Sequence, residues 1–306
     1  MQNITNLLIL LSLILFKSNA NENEYIDLTS CIDARTQQYL ITPYDKIFVC
    51  SPYRTGSTYV FNILRFLFED DKTKNSPNWS GGPSGRIVCK FHSLDQQLNT
   101  KITYVVTVRN PLYACFSNYR VHLDINEIES CPDEELQKLV DEWMNFWYRI
   151  GSIDFSRSDL ILLRYEQFLN NVDYVVSEVE SFYSIRIREE DRVTLRKAMS
   201  RENVIKNTEK YQFFSKFDPG SLIHGNHIQQ EEMEKNEYER VMRVIINQLK
   251  NHKEIISKWG YSYIFCDQRN SDYEALVWMQ PPNVSLSPSG RKERSVETYL
   301  SLKKVS

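Results

Sequence analysis

KIFVCSPYRTGSTYVFNILRFLF, residues 46–68, decides the fold. Its first five residues, Lys46 to Cys50, are a short apolar run between Pro43 and Ser51-Pro52, the length and setting of a buried strand. Beyond the turn, Val60, Ile63, Leu64 and Leu67 recur at i, i+3, i+4 and i+7, the stripe of an amphipathic helix. Between them, Tyr53-Arg54-Thr55-Gly56-Ser57-Thr58 carries a cation, hydroxyls and a glycine into a helix start. Free backbone N–H groups and the helix dipole attract an anion at such a place. The turn lacks the first glycine and the lysine of GxxxxGK[ST], which argues against an ordinary ATP or GTP hydrolase.

Strand and helix signals alternate downstream. RIVCK (Arg86 to Lys90), ITYVVTV (Ile102 to Val108) and LILLR (Leu160 to Arg164) are three more β-rich runs. Asn110-Pro111 after the second is a helix start, with Asn as N-cap and Pro at the first helical position. Leu136, Leu139, Val140, Trp143, Trp147 and Ile150 mark another helix, and Phe168, Val172, Val175, Val176, Val179 and Phe182 one behind LILLR. Tyr238, Val241, Met242, Ile245, Ile246 and Leu249 make a long closing helix that ends near Trp259-Gly260-Tyr261, while no period holds from Tyr211 to Ile228. Runs that are apolar throughout, separated by helices, predict an α/β fold with a mostly parallel central sheet and helices on both faces. In such a fold ligands sit beyond the carboxyl ends of the strands.

The 306 residues are 42% hydrophobic, 12% aromatic and 25% charged, an ordinary globular composition. Thirty-seven basic against forty acidic residues leave a net charge of -3, so no overall positive field exists for nucleic acid. Any anion site is local. The six cysteines show no CxxC pair and no metal-ligand spacing, so no metal is expected. Cys50, Cys89 and Cys115 lie in apolar runs and read as buried thiols, leaving Cys31, Cys131 and Cys266 as disulfide candidates.

Leu7 to Phe16 form one apolar run, followed by Lys17-Ser18-Asn19-Ala20 and the polar NENEY. Residues 1–20 therefore read as a signal peptide, or as a short signal-anchor, since the n-region MQNITN has no basic side chain. This places the protein in the secretory lumen or an exported space, with a membrane association only if the segment is retained. Asn78 and Asn283 head two glycosylation sequons. Residues 27–267 form one folded domain, and 268–306, rich in Pro, Ser, Gly and charge, read as a flexible tail.

The strand ends carry the chemistry. Lys90 and His92 alternate in an extended run and face one side, aiming a cation and a base into one cleft. Arg109 ends the third strand, and Ser117 follows two helical turns later. Together these segments resemble the sulfotransferases that use 3′-phosphoadenosine 5′-phosphosulfate (PAPS), from about Lys46 to Tyr261. YRTGSTY looks like the family's 5′-phosphosulfate motif, with Arg54 in the basic position and Tyr59 in the aromatic one, where the family's pattern begins with Pro. The resemblance implies that Arg54, Thr55, Gly56, Ser57, Thr58 and Tyr59 hold the donor. VRNPLYACFSNY looks like the 3′-phosphate motif, which implies Arg109 and Ser117 as phosphate ligands. Lys90-Phe91-His92 matches the Lys-x-His of the cytosolic-type branch, whose His is the catalytic base. Arg164-Tyr165-Glu166 is similar to the family's Tyr-Glu after a strand, and Thr194 falls where an adenine-contacting threonine is placed. The family's Arg-Lys-Gly has its nearest counterpart in Ile223-His224-Gly225, which adds His224 and Gly225 to the implied cofactor contacts.

The resemblance implies a P-loop-like sulfotransferase fold and transfer of a sulfuryl group from PAPS, without metal, to a hydroxyl or amine. His92, Lys90 and Arg54 would be catalytic, and the acceptor a carbohydrate, a peptide or a small alcohol or phenol. The RTGS wording and the leader resemble Golgi carbohydrate sulfotransferases more than cytosolic ones. Two other readings are a divergent nucleotide kinase of the same loop-and-sheet type and a secreted nucleotide- or glycan-binding protein with little catalysis.

Overall fold

A computed structural model describes residues 46–68, 88–92, 102–153, 157–208, 233–265 and 274–278. The leader at 1–20, Cys31, Cys266, His224, Gly225 and both sequons lie outside the described residues. Four strands, β1 (Lys46–Cys50), β2 (Val88–Phe91), β3 (Ile102–Val108) and β4 (Leu160–Arg164), form a parallel sheet in the order β2-β1-β3-β4. Ile47 pairs with Val88, Lys46 with Ile102 and Tyr104 with Leu160. The protein is an α/β fold in which the sheet is covered on both faces, as the unbroken apolar runs predict.

Alternate side chains serve the two faces. Ile47, Val49, Val105, Ile161 and Leu163 enter one apolar cluster, while Val106 and Val108, with Leu160 and Leu162 at its margin, enter the other. The first face is covered by α1 (Ser57–Phe68), α4 (Tyr165–Phe168), α5 (Val172–Tyr183), α6 (Glu189–Ala198) and α7 (Arg201–Thr208). The second carries α2 (Pro111–Asn126), α3 (Asp133–Gly151), α8 (Lys235–Leu249) and α9 (Lys253–Lys258). The expected stripe of α1, Val60, Ile63, Leu64 and Leu67, is wholly buried. Asn110 caps α2 as expected, its Oδ1 accepting from the Leu112 amide at 3.0 Å. Asp133, Glu134 and Glu135 begin α3 and Arg149 ends it, each charge suited to its end of the helix dipole.

The structure differs from the sequence reading in five places. The helix expected over Phe168 to Phe182 is broken: Asn170 takes a left-handed φ of 58° and Asn171 caps α5, accepting from Tyr174 N at 3.2 Å. Asparagine tolerates that conformation and caps well, so the pair overrides the apolar period. The sequence reading set no helix over the polar α6 and α7, which, with Met199 between them, bury Leu195 and Val204 against the α1 face. The closing helix stops at Leu249, and a 3-10 turn (Lys250–His252) and α9 lead to β5 (Tyr261–Phe265). Strand β6 (Glu274–Trp278), within the stretch read as a tail, pairs antiparallel with β5. Cys50, Cys89 and Cys115 are buried thiols, and so is Cys131, which removes it from the disulfide candidates.

Candidate active site

Strand order places the site. From β1 the chain moves to β2 on one side and then crosses to β3 on the other, so the crevice between the carboxyl ends of β1 and β3 is a topological switch point. The loop after β1 is pinned there by hydroxyls. Ser51 Oγ accepts from Thr107 N at 2.8 Å, Thr55 Oγ1 donates to Pro52 O at 2.8 Å, and Thr107 Oγ1 lies 2.8 Å from Thr55 Oγ1. Arg54 and Gly56 both take positive φ, 62° and 83°, which turns the chain abruptly from strand to helix. Glycine at 56 is required twice: a Cβ there would meet the Phe168 and Tyr165 rings at 2.7 Å. The first α1 backbone bonds run from Tyr59 N and Val60 N to Gly56 O, so the earlier amides of this turn are left to a ligand or to water.

Three cations converge on this turn. Arg54 Nε donates to Ser117 Oγ at 2.9 Å, Lys90 Nζ to Thr58 Oγ1 at 2.8 Å, and Arg109 Nη1 to Arg54 O at 3.3 Å. The Arg109 guanidinium also sits 4.3 Å from the centre of the Tyr165 ring. Burial, then the charge of Arg109, lowers the Arg54 pKa to about 10. Burial, then the charge of Arg54, lowers that of Lys90 to about 7. The neighbouring charges that lower the two pKa values are thus other cations, while the Tyr165 phenol acts weakly the other way on Arg54. Cations held together without a carboxylate partner among the described residues favour an anion, whose arrival restores their charge. Ser117, accepting from Arg54, keeps its own O–H to donate.

His92 stands beside them. Its Nδ1 lies 2.9 Å from Ser51 O, and since a carbonyl only accepts, Nδ1 bears the hydrogen and Nε2 keeps its lone pair. Burial, with Lys90 next, lowers the His92 pKa to about 3, so the ring is neutral at physiological pH. The Tyr53 ring covers it, centroids 4.2 Å apart at 31°, and Phe146 of α3 meets Tyr53 edge-on at 4.6 Å. A neutral imidazole with a fixed tautomer presents a lone pair that can accept a proton, though burial makes it a weaker base than a free histidine.

No family model and no curated protein matches the chain. Among solved structures it is similar to mouse sulfotransferase SULT7A1 complexed with PAP, at 12% identity and a TM-score of 0.42, over 70% of this chain and 87% of that one. It is also similar to retinol dehydratase in complex with androsterone and inactive cofactor PAP, at 11% identity and a TM-score of 0.43, over 68% and 81% of the two chains. Retinol dehydratase in a complex with retinol and PAP follows, at 14% identity and a TM-score of 0.43, over 69% and 83%.

Of the residues singled out in the sequence, Arg54 to Tyr59, Lys90, His92, Arg109, Ser117 and Tyr165 lie around one end of the sheet. Not all face the crevice. The Thr55 side chain is wholly buried and its hydroxyl serves the loop, which leaves its backbone amide for a ligand. Tyr59 stacks on Phe168, 5.8 Å away and nearly parallel. Thr194 lies on α6, where its hydroxyl donates to Glu190 O of the same helix.

The sequence singled out Arg164 and Glu166 only as part of a motif, and the structure makes both of them supports of the site. Glu166 accepts from Asn110 N at 2.7 Å through one oxygen and from Tyr261 O–H at 2.9 Å through the other, joining the start of α2 to β5. Arg164 donates to Trp259 O at 2.8 Å and does the same between β4 and α9. Sequence reasoning missed Thr107 and Phe146, which carried no motif, and only their position near a strand end or on the helix facing it could have drawn notice.

Proposed function

We propose that the protein is a sulfotransferase that moves the sulfuryl group of PAPS to a hydroxyl or amine of a glycan, a peptide or a small molecule. The observation that carries this reading is the pairing of a cation cluster, Arg54, Lys90 and Arg109, which has no carboxylate partner among the described residues, with a neutral His92 whose Nε2 is unengaged by its backbone partner. The motif resemblance supports it. The residues present suit the donor: the open amides and Arg54 for its phosphosulfate, Arg109 and the Ser117 O–H for a second phosphate. PAPS supplies an activated sulfuryl group on a phosphate leaving group.

His92 Nε2 takes the acceptor's proton as the acceptor oxygen or nitrogen bonds to sulfur. Arg54 and Lys90 stabilise the charge that collects on the phosphate oxygen as the old S–O bond breaks, and adenosine 3′,5′-bisphosphate leaves. Like phosphoryl transfer, this asks the protein for alignment and fixed positive charge. The supporting result is transfer of label from radioactive PAPS, and not from ATP, to a sugar, phenol or peptide. Transfer from ATP alone would make the protein a kinase and overturn the sulfotransferase reading. A luminal or exported location, with cleavage near Ala20, belongs to the same proposal, and an intact Met1 in a cytosolic fraction would overturn it.

A further inference from the structure

The start of α2 is closed to an anion. Pro111 has no N–H, the Leu112 amide is taken by Asn110 Oδ1 at 3.0 Å, and the Asn110 amide is taken by Glu166 Oε1 at 2.7 Å. A second phosphate therefore finds no backbone donor at these positions, in contrast to the Arg54 turn. It depends on two side chains, the Arg109 guanidinium and the Ser117 O–H, and hence on where Arg109 is held.

Both ends of Arg109 are held from one corner of the fold, the step from β4 into α4. The guanidinium sits 4.3 Å from the centre of the Tyr165 ring, and Glu166, the next residue, accepts from the peptide N–H that joins Arg109 to Asn110. The other Glu166 oxygen accepts from the Tyr261 hydroxyl at 2.9 Å, so β5 braces the corner. Burial and the Glu166 charge keep that phenol protonated, ready to donate. Glu166 is itself exposed, whereas Asn110 and Tyr261, which it joins, are only 5% and 1% exposed. Bracing β5 needs one oxygen alone. The second is spent on the single peptide next to the phosphate-binding arginine.

We propose that Glu166 is a positioning residue for the second phosphate of the donor: by fixing the Arg109–Asn110 peptide it aims the Arg109 guanidinium, and so sets the preference for a nucleotide that carries a 3′-phosphate. This deepens the sulfotransferase reading and rests on it. A carboxylate repels a phosphate, so Glu166 acts through Arg109 and not on the ligand. Its charge also suits the positive end of α2 and strengthens the bond to the Asn110 amide. Small errors in the placement of a binding group are costly, and a long side chain such as Arg109 multiplies any tilt of the peptide at its base.

The test is calorimetry on the full chain with adenosine 3′,5′-bisphosphate and with AMP. Glu166→Ala should weaken the bisphosphate by roughly three- to tenfold, the size of a coupling within one network, and AMP by less than about twofold. The 5′-phosphate is spared because the Arg54 turn is pinned by Ser51, Thr55 and Thr107. Glu166→Gln, whose carbonyl oxygen still accepts from Asn110 N and whose amide donates to the Tyr261 oxygen, should keep the parent preference to within about twofold. Adding Glu166→Ala to Arg109→Ala should change the preference no further, because the residue it acts through is gone. In ³¹P spectra of the bound bisphosphate, Glu166→Ala should move the 3′ signal toward its free position and leave the 5′ signal in place. Tyr261→Phe, which removes the brace alone, is the milder variant should Glu166→Ala fold poorly, and the same 3′ signal should move the same way. The inference is overturned if Glu166→Ala weakens both nucleotides equally, as loss of a brace with no aim would, if it leaves the preference unchanged, or if the two alanine effects add. A parent chain that binds the bisphosphate no better than AMP would instead refute the sulfotransferase reading, and the inference with it.

Discussion

Donor binding should take up a proton, and Lys90 is the group that takes it. In the free protein burial and Arg54 hold the Lys90 pKa at about 7, so at pH 8 about a tenth of the molecules carry the charge. A phosphate or sulfate oxygen about 4 Å from Nζ adds about 4 kcal/mol at an effective dielectric of about 20, or about three pKa units. Lys90 then returns to about 10, and binding at pH 8 draws in about 0.9 proton, against about 0.1 at pH 6, where the lysine is already charged. Arg54, at about 10, is charged across this window, and His92, at about 3, stays neutral. Calorimetry of adenosine 3′,5′-bisphosphate binding in two buffers of different ionisation enthalpy reads the uptake directly. Affinity should fall nearly tenfold per pH unit between 8 and 9, a slope that Lys90→Met abolishes. The same depression means that the unfolded chain binds more protons than the folded one between about pH 7 and 10.5, so the free protein gains stability as pH rises through that window. Equal apparent enthalpies in both buffers at pH 8, or an unchanged slope in Lys90→Met, would refute the assignment of Lys90 to the anion.

His92→Ala should lower turnover per folded molecule by roughly 10² to 10⁴, the usual contribution of a general base, with bisphosphate affinity nearly intact. A fall in melting temperature with turnover preserved would mean that the ring only packs. Arg109→Ala should remove most of the preference for adenosine 3′,5′-bisphosphate over AMP, roughly 10- to 100-fold, because charge-assisted bonds to the second phosphate go with it. Equal affinity for the two nucleotides in the parent protein would contradict that role. Gly56→Ala should cost about 2 to 4 kcal/mol, since it adds a left-handed alanine and a contact that Phe168 and Tyr165 must yield to. A denaturation midpoint within error of the parent would show that the turn relaxes without strain.

Much of the site was legible because its signals are local. The β1 run, the stripe of α1, the Asn110-Pro111 start and the alternation of Lys90 and His92 each lie within a dozen residues, and backbone geometry alone converts such spacings into direction. Elements whose formation depends on distant partners were not legible. Helices α6 and α7 are polar along most of their length and are held by a few side chains that reach the α1 face. Strand β6 exists through its pairing with β5. The split between α4 and α5 was a local competition that two asparagines won over a convincing apolar period.

The sequence by itself determined a parallel α/β chain and the set of residues at its strand ends. Only the tertiary structure decided how those residues act. The order β2-β1-β3-β4 puts the switch point beside the Arg54 turn and brings Ser117, 63 positions away, within hydrogen-bond reach. The tautomer of His92 is set by Ser51 O, 41 positions away, and the lowered pKa of Lys90 by burial and by Arg54. Protonation and polarity depend on which groups share a low-dielectric space, and that is settled by packing between segments rather than by spacing within one.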